Sequence, residues 1–441
     1  MHLASSAESQ RVAELLTNDA RFSARIEAAN ETVLARLQSA DPVLKRVLPA
    51  SDVVPGMSRE TVLHSGPPIA WEDMCDLLRA SLKAAVVFEG ICPTLEEAER
   101  QLAQGQISLR SCHEVGGVAP LAGVVTASMP VFLVEDVNLG TQAFCPINEG
   151  LGKVLRYGAY GPEVFNRLRW MGEVLGPVLD KVLRKTGGIP VFGIMSHALH
   201  MGDECHNRHK AGTTLFLKAL IPALLGEAGP EVEQAVAFIS KTDVFFLNIA
   251  MPGVKCSTMA VEHVADSSIV TVLSQNGTRF GIRTAGTGKT WFEADAPFIK
   301  GKFFSGFDQS HANPGIGDSL ITETMGFGGL AMAAAPALVR YIGGDPAEAK
   351  RLNELMYGIV AAEHPKHTIP SLNFRGTPFG IDVRKVVSCG VTPVANAGIA
   401  HRVPGEGQVG AGYIHTPMRC FEKALAALHK TLTEDPATQS S

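Results

Sequence analysis

The densest group of side chains able to do chemistry lies in SHALHMGDECHNRHK, residues 196–210. Carboxylates, imidazoles and an amide packed into one stretch can move protons or hold a divalent cation. Read as a helix, the segment sets His197, His200, Glu204 and Asn207 along one face, with Asp203, His206 and Lys210 on the neighbouring face. The alternative reading is a solvated face stabilised by ion pairs. No H-E-x-x-H occurs in the stretch, so its metal signal is weak.

Three other groups carry reactive types. SCHEVGG, residues 111–117, holds Cys112, His113 and Glu114. Neighbours on a strand point apart, so a structural cysteine is expected there rather than a thiol–imidazole pair. CPINEGLGKVLRYG, residues 145–158, reads as a loop entering a helix capped by Asn148, Glu149 and Lys153. A helix start of that kind can receive an anion, and an ordinary capped helix is the competing reading. The last third is rich in glycine, in NPGIGDS, GFGGLA, FRGTPFGID, NAGIAH and PGEGQVGAG. Asp318 and Ser319 follow Gly317, Thr322, Glu323 and Thr324 precede a glycine run, and Asp382, Arg384, Asn396 and His401 sit in or near tight loops. Arg375 is the strongest anion-binding candidate, because its planar fork suits carboxylate or phosphate oxygens; a structural ion pair is its alternative.

TAGTGKT, residues 284–290, imitates a phosphate loop. The motif needs a glycine at position 283, where Arg283 stands, and a helix after the lysine, where WFEADAP reads as strand and turn. A turn between strands is expected, with Gly286 and Gly288 supplying positive φ.

These groups need elements to hold them. The first 50 residues read as polar helices. Thr94 and Glu97 fit a reciprocal helix cap. The run Val131-Phe132-Leu133-Val134 reads as a buried strand. From Gly161 to about Leu225 the apolar spacing is helical, with a kink at Pro177. Asn276-Gly277 between two β-rich runs signals a hairpin. Residues 326–344 read as a buried, closely packed helix rather than a membrane span. A last helix carries Phe421, Leu425, Leu428 and Leu432 on one face, and the DPATQSS tail after it should fray. The expected fold is α/β (α+β): two mixed α/β domains, residues 1–160 and 236–441, with an inserted helical domain, 161–235.

The totals restrict function. With 39 basic against 44 acidic residues and a net charge of −5, the chain lacks the basic excess of a nucleic-acid platform. None of the eight cysteines forms a C-x-x-C pair, so reduced thiols in the cytoplasm are expected. The first residues lack the apolar segment of a secretion signal. No nucleic-acid or membrane partner is expected, nor any cofactor or metal.

Several long stretches, in order, carry a resemblance: HSGPPIAWEDM, SMPVFLVE, NEGLGKVLRYG, LHMGDECHNR, NGTRFGIR, ANPGIGDSLITET, NFRGTPFGIDVRKVV and GQVGAGY. Together they resemble the AllG (YlbE-like) family of oxamate carbamoyltransferase subunits. The resemblance implies a subunit that transfers a carbamoyl group between a ureido or amide compound, oxalurate- or oxamate-like, and phosphate. It implies purine and allantoin nitrogen catabolism, companion subunits similar to AllH and FdrA, and a homo-oligomer. Motif membership and chemistry together single out Asp203, Glu204, His206 and Asn207 as catalytic candidates. Arg208, Asn276, Arg279, Asp318, Thr324, Arg375, Asp382 and Asn396 become substrate-binding candidates. Two other functions compete: a self-sufficient amidohydrolase acting on a small amide or ureido compound, and a non-catalytic assembly subunit.

Overall fold

In the computed structural model, which describes residues 5–434 apart from residue 151, short sheets and helices alternate along the whole chain. The fold is mixed α/β. Two helices, Ala7–Asn18 and Ala20–Ser39, come first, capped by Ser6 and Asp19. The strand Pro42–Pro49 follows, where helix was expected. Pro42 and Pro49 bracket it, and its core-facing Leu44 and Val47 are buried, so tertiary pairing decides. It pairs antiparallel with Pro130–Asp136, which contains the expected Val131–Val134 run. Thr141–Pro146 and Ile189–Pro190 complete that four-stranded sheet.

The chain from Pro162 is helical, with a π-helical turn, Met171–Leu175, between Pro162–Trp170 and Gly176–Thr186. Pro177 has no N–H to continue the ladder, and the wider turn accommodates that loss. The apolar faces of this section, Leu168, Leu179 and Ile239 among them, join Leu44 and Phe132 in one continuous core.

A second sheet holds Phe292–Asp295, Arg279–Thr284, Val270–Asn276 and Ile316–Gly317. The hairpin at Asn276-Gly277 forms as expected, with Gly277 at φ +87°. TAGTGKT is the turn between two antiparallel strands of this sheet, and no helix follows Lys289. Only Gly288 there has positive φ, +58°. Gly286 is instead required because a Cβ would strike the backbone of Ser267.

A third sheet, Lys300–Phe303, Gln408–His415 and Val394–Ala400, contributes Gly398, Gln408 and Ala411 to the lining of the molecule's main cleft. The apolar run after Gly326 is a 3-10 segment, Gly328–Ala334, and a short helix, Pro336–Tyr341, rather than one helix. Pro336 supplies the break. No described helix is long and apolar enough to cross a membrane. Thr94 caps Leu95–Ala103 through the N–H of Glu97, whose carboxylate turns to Arg100 and Gln101 instead of completing the reciprocal cap. Met418–Glu434 is the last helix and buries Phe421, Leu425, Leu428 and Leu432; the tail expected to fray lies outside the described residues.

Candidate functional site

The polar cluster at residues 196–210 is not one helix. The helix Val191–His200 ends, a loop runs through residues 201–209, and Lys210–Leu224 begins the next helix. Gly202 at φ +89° and Cys205 at φ +64° turn the chain. Two buried carboxylates then take over N–H groups that helical carbonyls would have satisfied. Asp203 accepts the N–H of Gly212 and the Nε–H of Arg208, each at 2.9 Å. Glu204 accepts the N–H of Asn207 and, at 3.1 Å, that of Arg208. The expected helical face therefore does not exist. Asp203, Glu204 and Arg208 shape the loop, and the loop presents His206 and Asn207.

His206 reaches across to the 3-10 segment Ser319–Met325. Its Nδ1 lies 2.8 Å from one carboxylate oxygen of Glu323 and 3.0 Å from the other. Glu323 is itself fixed by the Thr322 hydroxyl and the N–H groups of Gly329 and Asn396, each at 3.0 Å. A Cβ on Gly328 would collide with this carboxylate, so the glycine after the 3-10 segment makes room for it. The Asn396 amide also donates to Glu204 at 3.0 Å, which ties the two carboxylates together behind the imidazole. Burial pushes the Glu204 carboxyl up to about 7, against the opposing pull of His206 and of the N–H groups it accepts. Burial likewise raises the Asp203 carboxyl. Among the described residues no hydrogen bond engages the Nε2 of His206, and the residue lines the main cleft. A carboxylate holding one ring nitrogen of a cleft-lining histidine, with the other left unengaged, is the arrangement of an oriented acid–base imidazole.

The cleft has a volume of about 670 Å³. Pro120, Leu121 and Ser319 line it beneath His206 and Asn207. Leu121 is held at φ +54°, an uncommon conformation outside glycine, with its carbonyl accepting the Ser65 hydroxyl at 2.6 Å. Asn207 donates to the Gly412 carbonyl at 3.0 Å, anchoring the loop to the third sheet. One wall is Gly398, Ala411 and residues 405–408; the other runs from Asn148 to Tyr157. This second wall differs from the helix start expected in NEGLGKVLRYG. It is coil with a 3-10 turn, Leu155–Tyr157, because the Glu149 carboxylate takes the N–H groups of Leu155 and Arg156 and folds the chain back.

The other predicted residues lie elsewhere. Thr324 is buried beside Glu323, its hydroxyl donating to the Ile321 carbonyl. Asp318 is buried behind the cleft and saturated by the N–H groups of Gly66 and Ala119, the Ser274 hydroxyl and His113. Asn276 folds its own hairpin, accepting from Thr278 and Arg279 and donating to the Pro67 carbonyl. Arg279 pairs with Asp295 at the surface. Asp382 caps the helix Val383–Cys389 and pairs with Arg384. Arg375 does not approach the cleft. It lies over the Tyr357 ring and bonds Glu363 and Glu354, because its hairpin with Val360–Ile369 faces solvent. In SCHEVGG, a 3-10 turn, Cys112 is buried and its thiol is pushed well up by burial, while His113 turns to Asp318 and Glu114 to Arg283 and Trp291.

Arg156 and Gln408 were not singled out beforehand, and Ser319 and Glu323 were named in the glycine-rich third without a role. Glu323 sits in LITETMGFGG, where a glycine pair follows the carboxylate, and that pattern was its sequence signal. Gln408 carried none.

The family model for "Oxamate carbamoyltransferase subunit AllG" matches residues 107–319. A protein of Escherichia coli K12 named oxamate carbamoyltransferase subunit AllG is 42% identical over 412 residues, 92% of this chain and 98% of its own length. Another protein of that organism, the uncharacterized YahG, is 41% identical over 94% of this chain and 89% of its own. The crystal structure of a conserved protein of unknown function from Enterococcus faecalis V583 superposes with a TM-score of 0.90 at 41% identity, covering 92% of this chain and 98% of that one.

Proposed function

The chain belongs to the AllG family of oxamate carbamoyltransferase subunits, and from that premise we propose that its main cleft is a carbamoyl-transfer site. The reaction joins a ureido compound of oxalurate type and phosphate to give an oxamate-like amide and carbamoyl phosphate. A phosphate oxygen forms a bond to the carbamoyl carbon, and the bond from that carbon to the amide nitrogen breaks. The nitrogen leaves only if it gains a proton. The observation that carries this reading is the Glu323–His206 pair at the lining of the cleft. In its protonated form His206 delivers that proton, and in the reverse direction it recovers it. Glu323 keeps the ring in place through Nδ1, so it acts as a positioning residue. Asn207, beside His206, gives its N–H to Glu204 and its amide to the Gly412 carbonyl, and so acts by anchoring the loop that presents the imidazole. Asp203, Glu204, Arg208 and Asn396 act by holding these two residues.

We place the protein in the cytoplasm, in purine and allantoin nitrogen catabolism, as an oligomer working with subunits similar to AllH and FdrA. The expected three-part division, with a helical section at 161–235, is kept as the frame around the cleft. The test is phosphorolysis of oxalurate by the chain alone and with companion subunits of AllH and FdrA type. Turnover by the full set that disappears with His206→Ala supports the reading. Turnover that persists at the wild-type rate leaves the chain as an assembly subunit. Cleavage without phosphate turns it into an amidohydrolase.

A further inference from the structure

Arg156 is a buried cation that forms no ion pair among the described residues. Only 6% of the residue is exposed. Its two terminal nitrogens donate to neutral oxygens, the Asn148 side chain and the Gly150 carbonyl, each at 2.8 Å. Its Nε has no partner. Among the described residues no carboxylate forms an ion pair with it, whereas buried Arg283 pairs with Glu114 and buried Arg384 with Asp382. The nearest carboxylate, Glu149, is spent on the N–H groups of Leu155 and Arg156. Burial raises that carboxyl, with the charge of Arg156 pulling the other way. A guanidinium taken out of water without an opposite charge is costly, and such sites are completed by a ligand that brings one.

Arg156 lines the main cleft, and so does Lys153, three residues earlier. Lys153 is exposed to the cleft and forms no ion pair among the described residues. Glu406 is the acidic residue on the facing wall and is solvent-exposed. The two cations therefore line the same cavity as His206 and Ala411.

We infer that Lys153 and Arg156 form a subsite for a small oxyanion, a phosphate or carboxylate group, of the molecule that reacts at His206. Arg156 supplies a fixed charge at the wall, and Lys153 is the mobile cation that closes on the anion. The inference rests on the cleft being the transfer site. It adds which end takes the anion and which residue sets affinity for it.

The experiment is titration calorimetry of the full chain with inorganic phosphate and, separately, with oxamate, for the wild type, Lys153→Ala, Lys153→Arg and His206→Ala. Expected is binding of at least one anion, weakened ten-fold or more by Lys153→Ala, restored to within three-fold by Lys153→Arg and unchanged by His206→Ala. Loss with phosphate alone assigns a phosphate subsite, and loss with oxamate alone a carboxylate subsite. Equal affinity of wild type and Lys153→Ala overturns the inference, as does the absence of binding of either anion to the wild type. The transfer reading is judged separately, by turnover of the assembled complex with His206→Ala. Weakened anion binding in Lys153→Ala beside undiminished turnover in His206→Ala keeps the subsite and removes the chemistry assigned to His206.

Discussion

The Nδ1 of His206 lies 2.8 Å from Oε1 of Glu323, although 117 positions separate them in the chain. Neither residue can reach the other until the loop at 201–209 and the 3-10 segment at 319–325 are both packed. His206→Ala should lower kcat of the assembled complex by about 10²–10⁴-fold, the usual contribution of a positioned acid–base group. Glu323→Gln should lower it by about 10–100-fold while leaving KM for phosphate near its wild-type value, since it acts through the ring. Phosphorolysis kinetics, with circular dichroism to verify folding, check both. Wild-type kcat in His206→Ala would remove the imidazole from the mechanism.

Glu204 gives a stability prediction with a definite sign. Its carboxyl is displaced from 4.5 to about 7 by burial, with His206 and the bonded N–H groups pulling the other way. Between those values the folded chain keeps a proton that the unfolded chain has lost. Its contribution is fully present below about pH 4.5 and fades as pH rises through 7, by up to about 3 kcal/mol at about 1.4 kcal/mol per unit. Glu204→Gln removes this dependence. Urea unfolding at pH 5 and pH 7.5 should show the wild type losing stability relative to the variant as pH rises. A difference that stays constant across that window contradicts the assignment.

Arg375→Ala should leave anion binding and turnover unchanged and alter stability by no more than about 1 kcal/mol. Its guanidinium is engaged by Glu363 and Glu354 on a solvent-facing hairpin. The same titrations with phosphate and oxamate check this. A loss of affinity like that expected of Lys153→Ala would mean that the hairpin swings onto the substrate.

Arg375 also marks what local sequence conveys and what it does not. A hairpin is a local event, and Asn276-Gly277 announced one that forms. The last helix and the buried strand at Val131 were legible for the same reason, since period and turn chemistry are local properties. Whether an arginine faces a cleft depends on residues hundreds of positions away. Read locally, Arg375 in a tight polar loop looked more like an anion site than Arg156, which is flanked by Leu155 and Tyr157. Burial inverted the ranking. The same holds at residues 196–210: the residue types suggest proton chemistry, yet the side chains that interrupt the helix are the carboxylates counted as its polar face. His206 and Glu323 were each visible in the sequence, but not as partners, because that pairing exists only in the folded chain.

Asp318 joins the parts of the molecule that frame the cleft, so its removal should act on both stability and turnover. Its oxygens accept from Gly66 at 2.7 Å, Ala119 at 2.8 Å, Ser274 at 2.5 Å and His113 at 3.1 Å. Burial alone would push its carboxyl up, but His113 and these donors outweigh burial and hold it below the usual carboxylate range. The stability it contributes is therefore present at neutral pH and is lost only as pH falls through that lowered value. Asp318→Asn keeps the volume but turns an NH₂ toward groups that already donate. The expected cost is about 3–5 kcal/mol, as for breaking a buried charge from its partners. Ser319 follows directly and lines the cleft, and Glu323 lies on the same 3-10 segment, so turnover should fall even where the variant remains folded. Urea unfolding of both proteins at pH 7 measures the first effect and kcat at the same pH the second. A variant as stable as the wild type would mean that Gly66, Ala119 and Ser274 find other acceptors, and that the cleft floor does not depend on this carboxylate.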